Sequence, residues 1–439
     1  MQLTRFHHTR YLILGMLFLA TTLNQADRAT LAIVGTPLER SLGLGTVGLG
    51  YVFSAHAWAY VLGQIPGGRL LDRFGASRVY LWSIALWSLF TLAQAGIGWV
   101  GASWAAATLF AMRFLMGLAE SPAFPANGRL TAAWFPTAER GFASATFTSG
   151  DYLASGLFAP LMGWLTHVYS WHMVFVVMGG LGLLLAILWK ATVHAPDNHP
   201  WVSTREVEYI TAHGAVPAMD REKQSVQDDV PLWHRLRQLL SQRMLVGVYL
   251  GQFGITTLTY FFLTWFPVYL VQARHMSILK AGFMTALPAL CGLAGGLLGG
   301  SFSDWLIRRG YSLTFARKLP IVVGMLLSTV MLACNYIDNQ SLIIACMGIA
   351  FFGKGLGALG WAVVADTSPG EITGLCGGLF NTIGNIAGIT TPIIIGYILQ
   401  ATGSFDGALI FVCASAALTV ICYLFVVGPI KRLSLADLR

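Results

Sequence analysis

Gly67-Gly68-Arg69-Leu70-Leu71-Asp72 ends one apolar stretch of this chain, and Gly299-Gly300-Ser301-Phe302-Ser303-Asp304 ends another 232 positions later (67 to 299). A second set agrees. Pro136, Gly141, Phe147 and Gly163 return as Pro369, Gly374, Phe380 and Gly396 at a spacing of 233 (136 to 369). Two nearly equal offsets in separate places mark an internal repeat of about half the chain.

Around these motifs, apolar stretches long enough to cross ~30 Å of hydrocarbon as helices recur from end to end. Twelve are read, at roughly 11–35, 49–71, 78–98, 102–125, 141–165, 171–190, 244–270, 279–302, 318–336, 341–366, 374–400 and 406–427. With 56% hydrophobic and 10% charged residues over 439 positions, the chain is too apolar for a soluble domain. The expected fold is all-α, a polytopic membrane protein of twelve transmembrane helices in two six-helix pseudo-repeats. The polar stretch 191–243, with Pro196, Pro200 and Pro217 among mixed charges, reads as a cytoplasmic linker between bundles 1–190 and 244–439. A short helix is possible within it at 204–211.

The net charge of +8 would suggest nucleic acid in a soluble protein, but here its distribution reports topology. With both termini cytoplasmic, about 21 basic residues lie inside and three outside: Arg40, Arg274 and Lys280. No nucleic-acid partner is expected, and the chain is read as a monomer. The first apolar stretch is too long for a signal peptide and lacks a small-residue cleavage site, so it is expected to remain as a membrane helix. The six cysteines fall in apolar stretches without metal-ligand spacing, so neither metal nor cofactor is called for. HExxH, GxSxG and phosphate-loop patterns are absent, which argues against an enzyme.

The stretch Gly68-Arg69-Leu70-Leu71-Asp72-Arg73-Phe74-Gly75-Ala76-Ser77-Arg78 resembles the loop 2 to 3 signature of the major facilitator superfamily, with Asp304, Arg308 and Arg309 as its degenerate second copy. More narrowly, the chain resembles the anion/cation symporter branch, especially the glucarate/galactarate permeases. The matching runs include Asp27-Arg28-Ala29-Thr30, Gly63-Gln64-Ile65-Pro66-Gly67-Gly68, Gly117-Leu118-Ala119-Glu120, Ala133-Trp134-Phe135-Pro136 and Phe352-Gly353-Lys354-Gly355. The resemblance implies proton-coupled import of a sugar acid, an aldarate such as glucarate or galactarate, by alternating access across a bacterial inner membrane. Another organic anion, such as an aldonate, a hexuronate or an aromatic carboxylate, is the alternative.

Six charges are read at bilayer depth, away from the ends of the apolar stretches: Asp27, Arg28, Arg113, Glu120, Asp151 and Lys354. Each costs ~2.5–3.5 kcal/mol at bilayer depth unless it pairs or faces water. Asp27 and Arg28 are consecutive, so they point about 100° apart and should have different partners. The planar fork of Arg28 suits a carboxylate, which leaves Asp27 free to carry a proton. The residues matching Asp27 and Glu120 in the resembling family are associated with proton coupling. Arg113 and Glu120 are two turns apart on one helix face, too far for contact. Lys354 sits in a small-residue run that permits close approach of helices or ligand, and a second cation suits a dianion.

Tyr60, Gln64, Gln252, Trp361, Asn381 and Asn385 are candidates for binding substrate hydroxyls, with family resemblance supporting Tyr60, Gln252 and Trp361, and Arg113 and Asp151 are counted with Arg28 and Lys354 as charged members of the substrate site. Asp72, Arg73, Arg78, Arg140 and Asp304, at cytoplasmic helix ends, are expected to lock a gate through ion pairs. The chain departs from the sugar-acid permeases at Gln25, where they carry an aromatic residue nearby, and at Thr148-Ser149-Gly150-Asp151, where they carry Asn and Gln. Asp151 would repel a dianion unless it is protonated or paired.

Overall fold

The computed structural model describes residues 8–136, 139–216, 232–369 and 372–434; the side chains of a few residues within its helices, Asp72 among them, lie outside the description. All the described secondary structure is helical apart from an isolated bridge in the linker. The first six spans are α1 (Thr9–Leu42), α2 (Thr46–Phe74), α3 (Ala76–Gln94), the pair α4 (Ala102–Glu120) and α5 (Ala123–Trp134), the pair α6 (Arg140–Leu153) and α7 (Ala159–Val168), and α8 (Trp171–Thr192). Two short helices follow, α9 (Thr204–Ala212) and α10 (Leu232–Ser241). The second six are α11 (Arg243–Tyr260) with α12 (Phe266–Gln272), α13 (Ile278–Arg308), α14 (Leu313–Ser328), α15 (Gln340–Leu356) with α16 (Gly360–Thr367), α17 (Thr373–Thr402) and α18 (Asp406–Ile421).

Among the described residues, seven helical stretches cross a membrane by length and hydropathy alone: α8 and all six of the second half.

Several spans are interrupted rather than straight. π-helical turns occur at Ala154–Phe158, Phe261–Trp265 and Cys422–Val426, and Thr329–Tyr336 tightens to 3-10 geometry. The fourth span of each half breaks outright, at Ser121-Pro122 and at Gly357–Leu359. Pro122 lacks the N–H that would reach the Leu118 carbonyl. That carbonyl instead accepts from Ser121, whose N–H lies at 3.3 Å and whose Oγ lies at 2.8 Å. The Ser121 hydroxyl also reaches the Gly63 carbonyl at 3.0 Å, drawing α2 against the break.

The chain divides into two compact units, one of residues 1–43 and 55–225, the other of residues 44–54 and 226–439. In the first, the segment after α8 is anchored rather than loose. Glu206 on α9 is buried and accepts from the backbone N–H groups of Thr9 (2.9 Å) and Arg10 (3.1 Å), capping α1 with negative charge. Ser203 caps α9 in turn, accepting from Glu206 N. Trp134 Nε1 donates to the His194 carbonyl at 3.1 Å, and Val216 N donates to the Ala132 carbonyl at 3.1 Å. In the second unit, glycines let helices meet backbone to backbone. A Cβ on Gly353 would strike Gly324 O, and one on Gly355 would strike Gly292 O. The small residues beside Lys354 thus serve close packing of α15 against α14 and α13.

Candidate functional site

In the first unit, α1, α2 and α4 bring four ionisable side chains together. Glu120 is the last residue of α4, where the helix dipole is negative and a carboxylate is least welcome. It is 0% exposed. Two partners offset this: Arg28 Nε donates to Glu120 Oε2 at 2.9 Å, and His56 Nε2 lies 2.6 Å from the same oxygen. Glu120 Oε1 has no hydrogen bond among the described residues. The Arg28 guanidinium also lies over the Tyr60 ring, 4.8 Å from its centroid, and Tyr60 stacks on His56 at 5.8 Å. The arrangement is a buried salt bridge whose cation stays partly accessible, the Arg28 side chain being 18% exposed.

Asp27 has a different environment, as its position one residue from Arg28 requires. It is 0% exposed, and neither carboxylate oxygen has a hydrogen bond among the described residues. Trp87 Nε1 likewise has no hydrogen bond among the described residues. A buried, unbonded carboxylate is expensive, and taking up a proton relieves the cost.

Arg113, read from sequence as a member of the substrate site, is engaged by backbone carbonyls. It is buried, and it donates Nη1 to the Asp27 carbonyl (3.2 Å) and Nη2 to the Arg28 carbonyl (3.1 Å). Its terminal nitrogens are spent on the backbone that carries the Asp27-Arg28 pair, so it positions that pair. Gln64 is half-buried on α2 and Asp151 half-buried on α6.

In the second unit a polar ladder joins α11 to α17. Tyr260 OH donates to Asn385 Oδ1 at 3.0 Å, and Asn385 Nδ2 donates to Asn381 Oδ1 at 3.0 Å. About two turns back along α11, Gln252 Nε2 donates to Thr256 Oγ1 at 3.2 Å, and Gly360 and Gly384 lie against the Gln252 side chain. Trp361 packs edge-on against Phe380 at 5.0 Å yet remains 52% exposed. Lys354 occupies the last turn of α15, where a cation complements the helix dipole, and its ammonium lies 5.1 Å from the Phe351 ring centroid. Glu120 and Lys354 are opposite charges in the last turn before the break in each fourth span.

The residues read as a gate separate into three cases. Arg140 binds the carbonyls of Phe135, Ala132 and Gly214 rather than a carboxylate. Asp304 pairs with Arg317 at 3.2 Å, and Arg317 also grips Asp366 at 2.8 Å. Arg73 and Arg78 are exposed and form no ion pair among the described residues, Arg73 lying over Phe74 at 5.2 Å. The Asp72 side chain is outside the described residues.

His56 and Tyr260 were missed by the sequence reading. His56 stands four residues before Tyr60 within an apolar span, which places both on one helix face and was a usable signal. Tyr260, in an aromatic run that reads as packing, offered none.

Residues 17–316 match the Major Facilitator Superfamily. The chain is 60% identical over 426 residues to the probable galactarate/D-glucarate transporter GudP of Bacillus subtilis (strain 168), covering 97% of this chain and 93% of that one. It is 54% identical over 429 residues to the probable galactarate/D-glucarate transporter GarP of Escherichia coli (strain K12), covering 98% and 97%. It is 40% identical over 425 residues to a D-galactonate transporter of Escherichia coli O6:H1, covering 96% of each. Among solved structures, a D-xylose-proton symporter superposes with a TM-score of 0.72 at 16% identity, covering 95% of this chain and 97% of that one. Twelve membrane helices in two repeats, charge concentrated in the first and fourth spans, and these full-length matches lead to one conclusion: the chain belongs to the major facilitator superfamily of membrane transporters, and is not an enzyme.

Proposed function

We propose that the protein is a proton-coupled symporter that imports an aldarate such as glucarate or galactarate by alternating access. It would act in a bacterial inner membrane with both termini cytoplasmic. The observation that carries the substrate is full-length identity of 54–60% to relatives described as probable galactarate/D-glucarate transporters. The buried charges support the coupling. Arg28 is held by Glu120 until a substrate carboxylate competes for it, and the Asp27 carboxylate beside it has no hydrogen bond among the described residues. In this reading Arg28 and Lys354 are the cations assigned to the two carboxylates of an aldarate. Tyr60, Gln64, Gln252, Trp361, Asn381 and Asn385 serve its hydroxyls. Asp27 and Glu120 exchange the proton.

Proteoliposomes with an inward proton gradient test the proposal. Labelled glucarate should accumulate, a protonophore should abolish accumulation, and unlabelled galactarate should compete better than galactonate, glucuronate or phthalate. Stronger competition by galactonate would assign the aldonate class, which the match to the D-galactonate transporter makes the second reading.

A further inference from the structure

Two cavities in the first unit share Phe74 and Arg78. The larger, about 630 Å³, has mixed polar and apolar walls that include Arg73, Arg78 and Lys190, with Asp197 as its acidic member. The other, about 570 Å³, is an apolar groove between α2, α3 and α4, whose walls include Phe74, Trp82, Leu86, Phe90, Leu115 and Leu118. Each is the size of a small-ligand site. The groove arises because α2 is drawn to the α4 break by the Ser121–Gly63 hydrogen bond, while α3 is held from its other side by α8, where Gly179 meets the Ser88 carbonyl and Leu92. A cleft is left along the α3 face that repeats at 78, 82, 86 and 90.

From Arg78 to Phe90 that face runs twelve residues, about 18 Å of helix. One leaflet of the hydrocarbon core is about 15 Å deep. The cleft therefore extends from a basic headgroup-level pocket to near the bilayer midplane. Trp82, Phe74 and Leu115 are exposed along it. Arg78 and Lys190 are exposed at its mouth, and among the described residues neither has an ion pair. A basic pocket that shares Phe74 and Arg78 with an apolar cleft about one leaflet long fits an amphiphile with an anionic head.

We infer that the two adjoining cavities together bind one anionic glycerophospholipid, its phosphate at Arg78 and Lys190 and an acyl chain laid along α3 from Arg78 to Phe90. The chain's apolarity commits the site to a lipid over a free phosphate. The inference does not depend on which acid is transported.

Native mass spectrometry of the full-length protein, released from detergent with phosphatidylglycerol or phosphatidylcholine of matched chains, tests it. One phosphatidylglycerol should be retained in preference to phosphatidylcholine. The double variant Arg78→Gln/Lys190→Gln should weaken that retention about 25-fold, at about fivefold per cation. Leu115→Trp, which fills the groove and leaves the charges, should weaken both lipids. Equal retention of the two lipids by the native protein, or undiminished phosphatidylglycerol in either variant, would overturn the inference. Displacement of the lipid by glycerol phosphate alone would overturn the role of the chain. Melting temperatures confirm that the variants are folded.

Discussion

Replacing Glu120 with glutamine should tighten binding of the anionic substrate. In the protein as it stands, Arg28 Nε donates at 2.9 Å to Glu120 Oε2, so an incoming carboxylate must compete with a resident one. A hydrogen bond to a charged group contributes about 1.5–3 kcal/mol. With a tenfold change in affinity for each ~1.4 kcal/mol, relief of that competition corresponds to roughly a ten- to a hundredfold lower Kd. The same change leaves Arg28 partly buried without its counter-ion, which costs folding stability until the substrate supplies one. Glu120→Gln should therefore melt lower than the native protein when empty, and saturating glucarate should raise its melting temperature by a larger increment. Calorimetric titration of the purified protein at constant pH measures the Kd directly. The reasoning is refuted by an unchanged or weaker Kd together with an unchanged ligand-induced melting shift. In vesicles the variant should keep substrate exchange but lose proton-driven accumulation.

Other perturbations reach the second cation and the linker. Lys354→Ala should impair transport of diacids more than of monoacids, read as the ratio of initial uptake rates; equal impairment would remove Lys354 from the recognition of a second carboxylate. Glu206→Ala removes the acceptor of the Thr9 and Arg10 N–H groups and should cost about 1–2 kcal/mol, seen as a lower melting temperature and faster tryptic cleavage after Arg205. His199 bonds the Thr192 carbonyl at 2.9 Å through Nε2 and accepts from Trp201 N at 3.1 Å through Nδ1, an arrangement that needs the neutral ring. Burial lowers its pKa below the ordinary value of 6.5, the Thr192 carbonyl opposing this and His194 adding to it. Its contribution is thus fully present above 6.5 and is lost as pH falls from there through the folded-state pKa, because the unfolded state then binds the extra proton. Hydrogen-exchange protection at Trp201 should fall over that window in the native protein and stay level in His199→Ala.

The parts of this fold legible in the sequence are those with a local signature. Apolar length marks the spans, and the recurrence of Gly67-Gly68 as Gly299-Gly300 marks the repeat. Buried charges announce themselves singly, because Asp27, Arg28 and Glu120 interrupt apolar runs. Their partners do not. Arg28 and Glu120 are 92 positions apart, and nothing in one chain states that they touch. Arg113 shows the consequence: an arginine within a span suggests an anion, whereas its actual partners are backbone carbonyls, which leave no trace in side-chain identity. Helix breaks lie between these extremes. Pro122 forecasts an interruption, but the repair by Ser121 depends on how closely α2 approaches.

Coupling of protons to substrate is the centre of the account, and it is measured most directly with a pH dye sealed inside vesicles. When glucarate is added outside, with no other gradient, the lumen should acidify in step with its entry, and Asp27→Asn should admit glucarate by exchange without acidification. Entry of glucarate into native vesicles with no change in lumenal pH would contradict the account.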